Sequence, residues 1–496
     1  MPFHNRIAAV ALIAGLFAVG CSSPSGKVES GSTSLVSTTT ITPTLSGSTT
    51  ATKSGATATT AADSVPPPKG STVGCPIGAL DSATGVTNVK FWFDTGGVGG
   101  VELQKLVDRF NQEHPKIHVN ASLNGSLTKY LASLHGGESP DLYSDSVFDN
   151  QALVDSHSTV PFGACIKSAK ADVSDFLPAE LAVGTTNGVL EAMPFGQGGQ
   201  VLFYNKAAFR KAGLDPEKPP TTFAEVRSAS ATIMKTGAAK HGISMAQDGH
   251  VQELFAWDGQ AFASTTDGGP HATKLGIDTP FGIDLLNTIA DMRKTGELIG
   301  FGQSPSPQAL LAIANGDCAM TINGALNIGD VQAALKNGIG PGVELGIGPI
   351  PVFHDRVSSD LFSGKAMWLR NSGDPARTEA AFRFVMWLNE PQQLFEYDSV
   401  TGVVPPRTTA AALPAMQEFW GSHPESKVAY DQVVSTPFRP NPTSRWIGSD
   451  DATNAFSDLM SSILVDGADP ATLIPAASKK AADALAAYNQ LVAKVG

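Results

Sequence analysis

Between Val89 and Tyr143 the hydrophobic period changes four times, and that alternation limits the fold more than any other feature of the chain. Val89-Lys90-Phe91-Trp92-Phe93 reads as a buried strand. Leu103, Leu106, Val107 and Phe110 then share one helical face at i, i+3, i+4 and i+7, and Pro115 stops that helix. Ile117-His118-Val119 is the next strand, Lys129 to Leu134 is helical, and Pro140-Asp141-Leu142-Tyr143 opens a third strand. Strands alternating with helices in this way predict a parallel α/β sheet with crossover helices. Ligands of such sheets sit beyond the carboxyl ends of the strands. That singles out Asp94-Thr95 after the first strand and Ser144-Asp145-Ser146 at the third.

Little else in the sequence announces chemistry. Gly97 and Gly99 would need a third glycine where Glu102 stands, so the dinucleotide pattern G-x-G-x-x-G fails. The loop reads instead as a tight turn that brings a helix N-terminus near the cleft, where its free N–H groups suit an anion or hydroxyl. There is no G-x-x-x-x-G-K-[ST], H-E-x-x-H or G-x-S-x-G. His241 and His250 fall in a loop-rich stretch without a carboxylate framework, and Asp450-Asp451 reads as a helix start. No cofactor or metal is predicted, since no cysteine has metal-ligand spacing. A net charge of -12 argues against nucleic acid, whose phosphates need a basic surface. From about Cys75 to Gly496 the chain is composed like a soluble protein too long for one small domain, so two are expected.

The first residues carry an address. His4 and Arg6 make a basic start, and Ile7 to Val19 is an apolar run shorter than the ~20 residues a bilayer span needs. Gly20-Cys21 follows, and the segment resembles a bacterial lipoprotein signal, whose cysteine is acylated before cleavage. Residues 1–20 are then a signal peptide, and a lipid on Cys21 would hold the chain at the extracytoplasmic face of the cell membrane. Ser22 to Gly74 is rich in Ser, Thr, Ala, Gly and Pro, too poor in large apolar groups to offset the entropy of ordering. Residues 21–85 are read as the lipidated cysteine and its flexible tether. With Cys21 acylated, three cysteines remain in an oxidising compartment. Cys75 and Cys165, both in loop-like contexts, are expected to pair, and Cys318 to start a buried strand.

Several segments resemble the extracellular solute-binding proteins of ABC importers, in the sugar and glycerol-phosphate branch. They are Lys90-Phe91-Trp92; Pro140-Asp141-Leu142; Ala192-Met193-Pro194-Phe195 followed by Phe203-Tyr204-Asn205-Lys206; Phe209 to Phe223; Gly316 to Asn323; Trp387-Leu388-Asn389; and Thr401 to Arg407. The likeness runs from about residue 86 to the C-terminus. It implies an α/β, two-lobed, type II periplasmic-binding-protein-like fold, with a ligand cleft between lobes joined by a hinge crossed three times. By analogy the crossings fall near Pro194–Gly198, Pro349–Val352 and Asp398–Gly402. The lobes are then residues 86–195 plus 352–398, and 196–351 plus 399–496.

Carried over from the family, the ligand-binding residues are Asp94, Asp145, Ser146, Gln197, Phe255, Trp257, Asn323, Ser363, Gly364, Arg445 and Trp446. Each has a plainer reading: Phe255 and Trp257 as core, Asp94 as a helix cap, Arg445 as a surface ion pair. The family's tyrosine in its Thr-Gly-Tyr-x-Pro segment is Val403 here, and the aromatic residue before Glu-x-Phe-Ala-Trp is lost around His250. The resemblance thus implies a carbohydrate or polyol as solute, with a glycerophosphodiester or glycerol-3-phosphate as the alternative, and a permease as partner. A secreted glycoside hydrolase of the envelope is the alternative of another class. It requires two carboxylates ~5–9.5 Å apart across a cleft. A scaffold that signals to a partner protein is a third.

Overall fold

A computed structural model describes residues 75–246, 250–301, 305–359, 363–441 and 446–495. The signal segment, Cys21, the tether up to Gly74 and Arg445 lie outside the described residues. In chain order the principal strands are β1 (Thr87–Phe93), β2 (Ile117–Leu123), β3 (Leu142–Ser146), β4 (Thr159–Val160), β5 (Met193–Pro194) and β6 (Gln200–Asn205). They continue with β7 (His241–Met245), β8 (Leu298–Gly300), β9 (Cys318–Gly324), β10 (Leu345–Pro349) and β11 (Lys365–Arg370).

These strands form two sheets, ordered β2-β1-β3-β11-β4 with β5 on β11, and β8-β7-β9-β6-β10. β1 runs parallel to β2 and β3, as the alternation predicts. The all-parallel expectation fails elsewhere. β11 is antiparallel to β3, β4 and β5, and β6 is antiparallel to β9 and β10. The physical reason is connectivity: β6 and β11 enter their sheets from the other body, not through a local crossover helix, so nothing imposes the parallel direction. His241 likewise opens β7 and is not in a loop.

The chain passes from the first sheet to the second through Phe195–Gly199 and back between β10 and β11. Helix Pro375–Leu388 then packs on β1 and β11 of the first sheet and helix Pro391–Thr401 on helix Gly97–Glu113, before helix Val428–Ser435 packs on β6 and β10 of the second. One core lies on each sheet, and a third cluster joins Tyr143 and Trp368 of the first with Val201 and Phe203 of the second. Helix Gly97–Glu113 buries Leu103, Leu106, Val107 and Phe110, the stripe that its spacing anticipates. Phe110 meets Phe384 and Trp387 edge-on, with centroids 4.9 and 5.3 Å apart. Each such buried side chain contributes roughly 1.5–3 kcal/mol. A separate core on the second sheet joins Leu285, Ile289 and Phe456 with Ile474 and Leu485 of the last helix, Pro470–Val495.

Cys75 and Cys165 are bonded, closing a sequence separation of 90 residues. Cys165, expected in a loop, lies inside helix Phe162–Ala169. Cys318 begins β9 and is buried with its thiol free. Asp450 and Asp451 occupy the first turn of helix Asp450–Ser461, while the capping side chain is Ser449. Among the described residues, no helix is long and apolar enough to cross a membrane.

Candidate functional site

The carboxyl ends of β1 and β3 deliver Asp94 and Asp145 side by side. The reversed direction of β11 adds a third member: Lys365, its first residue, lies in register with Ser146. Lys365 Nζ bonds to Asp94 Oδ2 and stands 3.9 Å from Asp145 Oδ1. Asp145 Oδ2 accepts a bond from the Tyr143 hydroxyl, and Asp145 Oδ1 accepts from the Ser146 amide at 2.8 Å. Asp94 therefore does not cap its helix. The N-cap is Gly96, with no side-chain bond.

Burial pushes the Asp94 carboxyl up to about 6, with Lys365 pulling it down. Burial alone would lower the Lys365 pKa, but Asp94 and Asp145 more than reverse this and hold it raised. Asp149, four residues beyond Asp145, is pushed up to about 8 by burial and then by the Asp145 charge. A carboxyl in that state is a hydrogen-bond donor at neutral pH. The wall thus offers one ammonium, two carboxylates and one neutral carboxyl within a few residues of each strand end.

Gln197, Ser363 and Gly364 meet at the crossings. Gln197 Nε2 donates to Lys365 O at 2.5 Å, and the Gly199 amide donates to Ser363 O at 3.0 Å. Gln200 Nε2 donates to Ser363 Oγ at 3.0 Å, and the Ser363 amide donates to Glu253 Oε1 at 2.8 Å. Only glycine fits at 364, because a Cβ there would lie 2.2 Å from Gln197 Oε1. Gln197 Oε1 and Gln200 Oε1 are buried acceptors without a hydrogen-bond partner. Unmet buried acceptors cost ~1–3 kcal/mol each, so they favour a donor from a ligand or water.

The other expected residues lie differently. Asn323, at the end of β9, accepts from the Gly324 amide at 2.9 Å and from Asn327 Nδ2 at 2.7 Å. Phe255 sits in the second core, edge-on to Phe262 and Phe281 at 5.4 and 4.7 Å. Trp257 is 0 % exposed, with the Arg356 guanidinium 4.6 Å over its ring. These two aromatic faces are occupied by protein. Trp446 is half-buried and meets Phe148 edge-to-face, with centroids 5.8 Å apart. Phe148 follows β3 in a short turn whose amide is held by Ser146 Oγ at 3.3 Å.

The helix N-terminus after Gly96 already has its acceptor: Val98 N donates to Asp330 Oδ1 at 3.0 Å. Gly97, at φ 59°, has that carboxylate within 2.5 Å of where a Cβ would stand. Sequence reasoning missed Lys365, Asp149 and Phe148. The one available signal was Lys365 directly following Ser363-Gly364. A surface concavity lined by Gln260, Thr279, Phe281, Asp284 and His354 contains none of the site residues.

A family model of bacterial extracellular solute-binding proteins matches residues 105–425. The sn-glycerol-3-phosphate-binding periplasmic protein UgpB of Yersinia enterocolitica is 29% identical over 374 residues, 72% of this chain and 83% of its own. Among solved structures, the cyclic alpha-maltosyl-1,6-maltose binding protein of Arthrobacter globiformis aligns with a TM-score of 0.64 at 22% identity, over 81% of this chain and 99% of that one. UgpB of Mycobacterium tuberculosis, in complex with glycerophosphocholine, aligns with a TM-score of 0.65 at 18% identity, over 83% and 99%. At those identities the structures speak for the two-lobed fold alone. The length of the matched family segment carries the assignment: the chain belongs to the bacterial extracellular solute-binding proteins.

Proposed function

We propose that this protein traps a neutral polyhydroxylated solute, a saccharide or polyol, between its lobes and hands it to the permease of an ABC importer. The observation that carries this reading is the wall of Asp94, Asp145 and Lys365, with Phe148, which meets Trp446, in the turn directly after β3. Carboxylates accept bonds from sugar hydroxyls, a neutral Asp149 donates one, and aromatic faces cover C–H surfaces. Two carboxylates against one ammonium leave the wall negative, which opposes a phosphate dianion. A glycerophosphodiester with a cationic head is the second reading, favoured by the same carboxylates beside an aromatic pair and by the kinship with sn-glycerol-3-phosphate-binding relatives.

The ligand set of this proposal is Asp94, Asp145, Ser146, Gln197, Ser363, Gly364, Trp446 and Arg445, with Lys365, Asp149 and Phe148 added. The lobes are 86–195 with 352–398, and 196–351 with 399–496. The chain acts as a binder and not as an enzyme, Asp94 and Asp145 being engaged by one ammonium. A lipid on Cys21 keeps the trap at the membrane, and the tether leaves it free to close and dock.

Melting curves of the full chain with maltose, glycerol, glycerol-3-phosphate and glycerophosphocholine test the reading. A solute that binds only the folded state raises the melting temperature, by ~2.7 kcal/mol of stability at a hundredfold excess over Kd. Stabilisation by glycerol-3-phosphate alone would overturn the neutral-solute reading, and cleavage of a glycan would overturn the binder itself.

A further inference from the structure

Away from the cleft residues, the Asp155 carboxylate bridges the two bodies, as Asp330 does at Val98. Asp155 ends helix Asn150–Asp155, which is fastened to the first sheet: Trp368 Nε1, on β11, donates to Asn150 Oδ1 at 2.9 Å. Gln151 Nε2, on the same helix, donates to Asp155 Oδ1 at 2.9 Å. The remaining partners of Asp155 come from the other body. His271 Nε2 lies 3.0 Å from Asp155 Oδ1, and the Tyr488 hydroxyl donates to Asp155 Oδ2 at 2.5 Å.

His271 sits in the loop joining the short strands Ala263–Ser264 and Lys274–Leu275. Tyr488 belongs to helix Pro470–Val495, whose Ile474, Ala481 and Leu485 are buried in the second core. The neighbouring Asn489 Nδ2 donates to Ala272 O at 2.9 Å, so loop and helix present His271 and Tyr488 as one unit. Gly448 packs into the same junction, where a Cβ would come within 2.9 Å of both Gln151 and Tyr488. The Asp155 side chain is 11% exposed and His271 22%, so the contact is largely shielded from water and from salt.

We infer that Asp155 is a positioning residue for lobe closure: with His271 and Tyr488 it forms a latch that holds the two bodies together in the absence of solute. The inference rests on the two-lobed trap reading, but not on which solute the trap takes. None of the three residues lies in a crossing segment or in the Asp94–Lys365 wall. A bond made only when the bodies meet lowers the free energy of the closed state and leaves the open state unchanged. The latch therefore sets how much of the closure free energy a solute must supply, and thereby its apparent affinity.

Spin labels at exposed Lys116→Cys and Lys235→Cys, in a full chain carrying Cys21→Ser, report the distance between the bodies by electron–electron double resonance without any ligand. Asp155→Ala is expected to shift the population toward longer distances by about tenfold, the equivalent of ~1.4 kcal/mol. Asp155→Glu should restore most of the short-distance population. Tyr488→Phe, which removes one donor from the opposite body, should reproduce part of the shift and serves if Asp155→Ala does not fold. Distance distributions that superimpose on the parent for Asp155→Ala, or for Tyr488→Phe where Asp155→Ala is unfolded, overturn the latch. Because no solute is present, a failed ligand screen leaves this result readable.

Discussion

Glu253 offers the sharpest test of how this protein handles buried charge. It lies at 2 % exposure on helix Val251–Trp257, yet holds the Ser363 amide at the return crossing. Burial pushes its pKa up to about 7 from an ordinary 4.5, with the Ser363 bond and Trp257 pulling the other way. At ~1.36 kcal/mol per pKa unit this difference corresponds to ~3 kcal/mol. The sign follows from proton linkage. The folded protein keeps a proton that the unfolded chain releases, so the contribution is complete below pH 4.5 and lost as pH rises through about 7. Glu253→Gln replaces the carboxyl with a neutral group whose Oε1 still accepts from Ser363.

Urea midpoints measured on both proteins from below pH 4.5 to above 7 should diverge, with the variant gaining ~3 kcal/mol relative to the parent at the alkaline end. Glu191, raised to about 7 by burial, and Asp149, raised to about 8, titrate in the same direction. Both proteins therefore lose stability as pH rises, and the difference between them isolates Glu253. Parallel curves across that window would show that Glu253 is not carried neutral, and the reasoning would fall.

Other expectations concern the anchor, the staple and the cleft. Removing the disulfide with Cys75→Ser and Cys165→Ser, which frees a span of 90 residues, should cost up to ~4–5 kcal/mol in a urea titration. It should also loosen the segment that Glu379 Oε2 holds through the Gly78 and Leu80 amides, each at 2.9 Å, and equal midpoints would contradict this. Lys365→Met leaves Asp94 and Asp145 without a counter-charge. A loss of ~2 kcal/mol at neutral pH is expected, below the 3–5 of a wholly buried pair because Lys365 is 20% exposed, and acid should recover it. Phe148→Ala and Trp446→Ala should each weaken the solute found in the melting screen by about tenfold in calorimetry, with folding unchanged. Cys21→Ser should move the protein from the membrane fraction to the medium, and unchanged fractionation would remove the lipid anchor from the proposal.

The first half-sheet was legible because its order is local. Strands and helices alternate from Val89 to Tyr143, and the apolar spacing of Leu103 to Phe110 states which face turns inward. Strand ends in such a sheet point to Asp94 and Asp145 without further information. Lys365 was not legible. It reaches Asp94 across 271 residues, through a strand that returns from the other body and pairs antiparallel with β3. Aromatic residues raise a related difficulty, since spacing cannot distinguish Trp257, buried under Arg356, from the half-buried Trp446, which meets Phe148 edge-to-face.

The sequence by itself determined the α/β character, the tether composition and the acidic balance, because these depend on composition and short-range period, while short matched segments carried the likeness to solute-binding proteins. Tertiary structure alone decided the mixed direction of the sheets, the Asp94–Lys365–Asp145 wall and the contact of Asp155 with His271 and Tyr488. Those depend on where long-range crossings set strands and loops down. Whether a charge is stabilised there depends on burial and on partners hundreds of residues away.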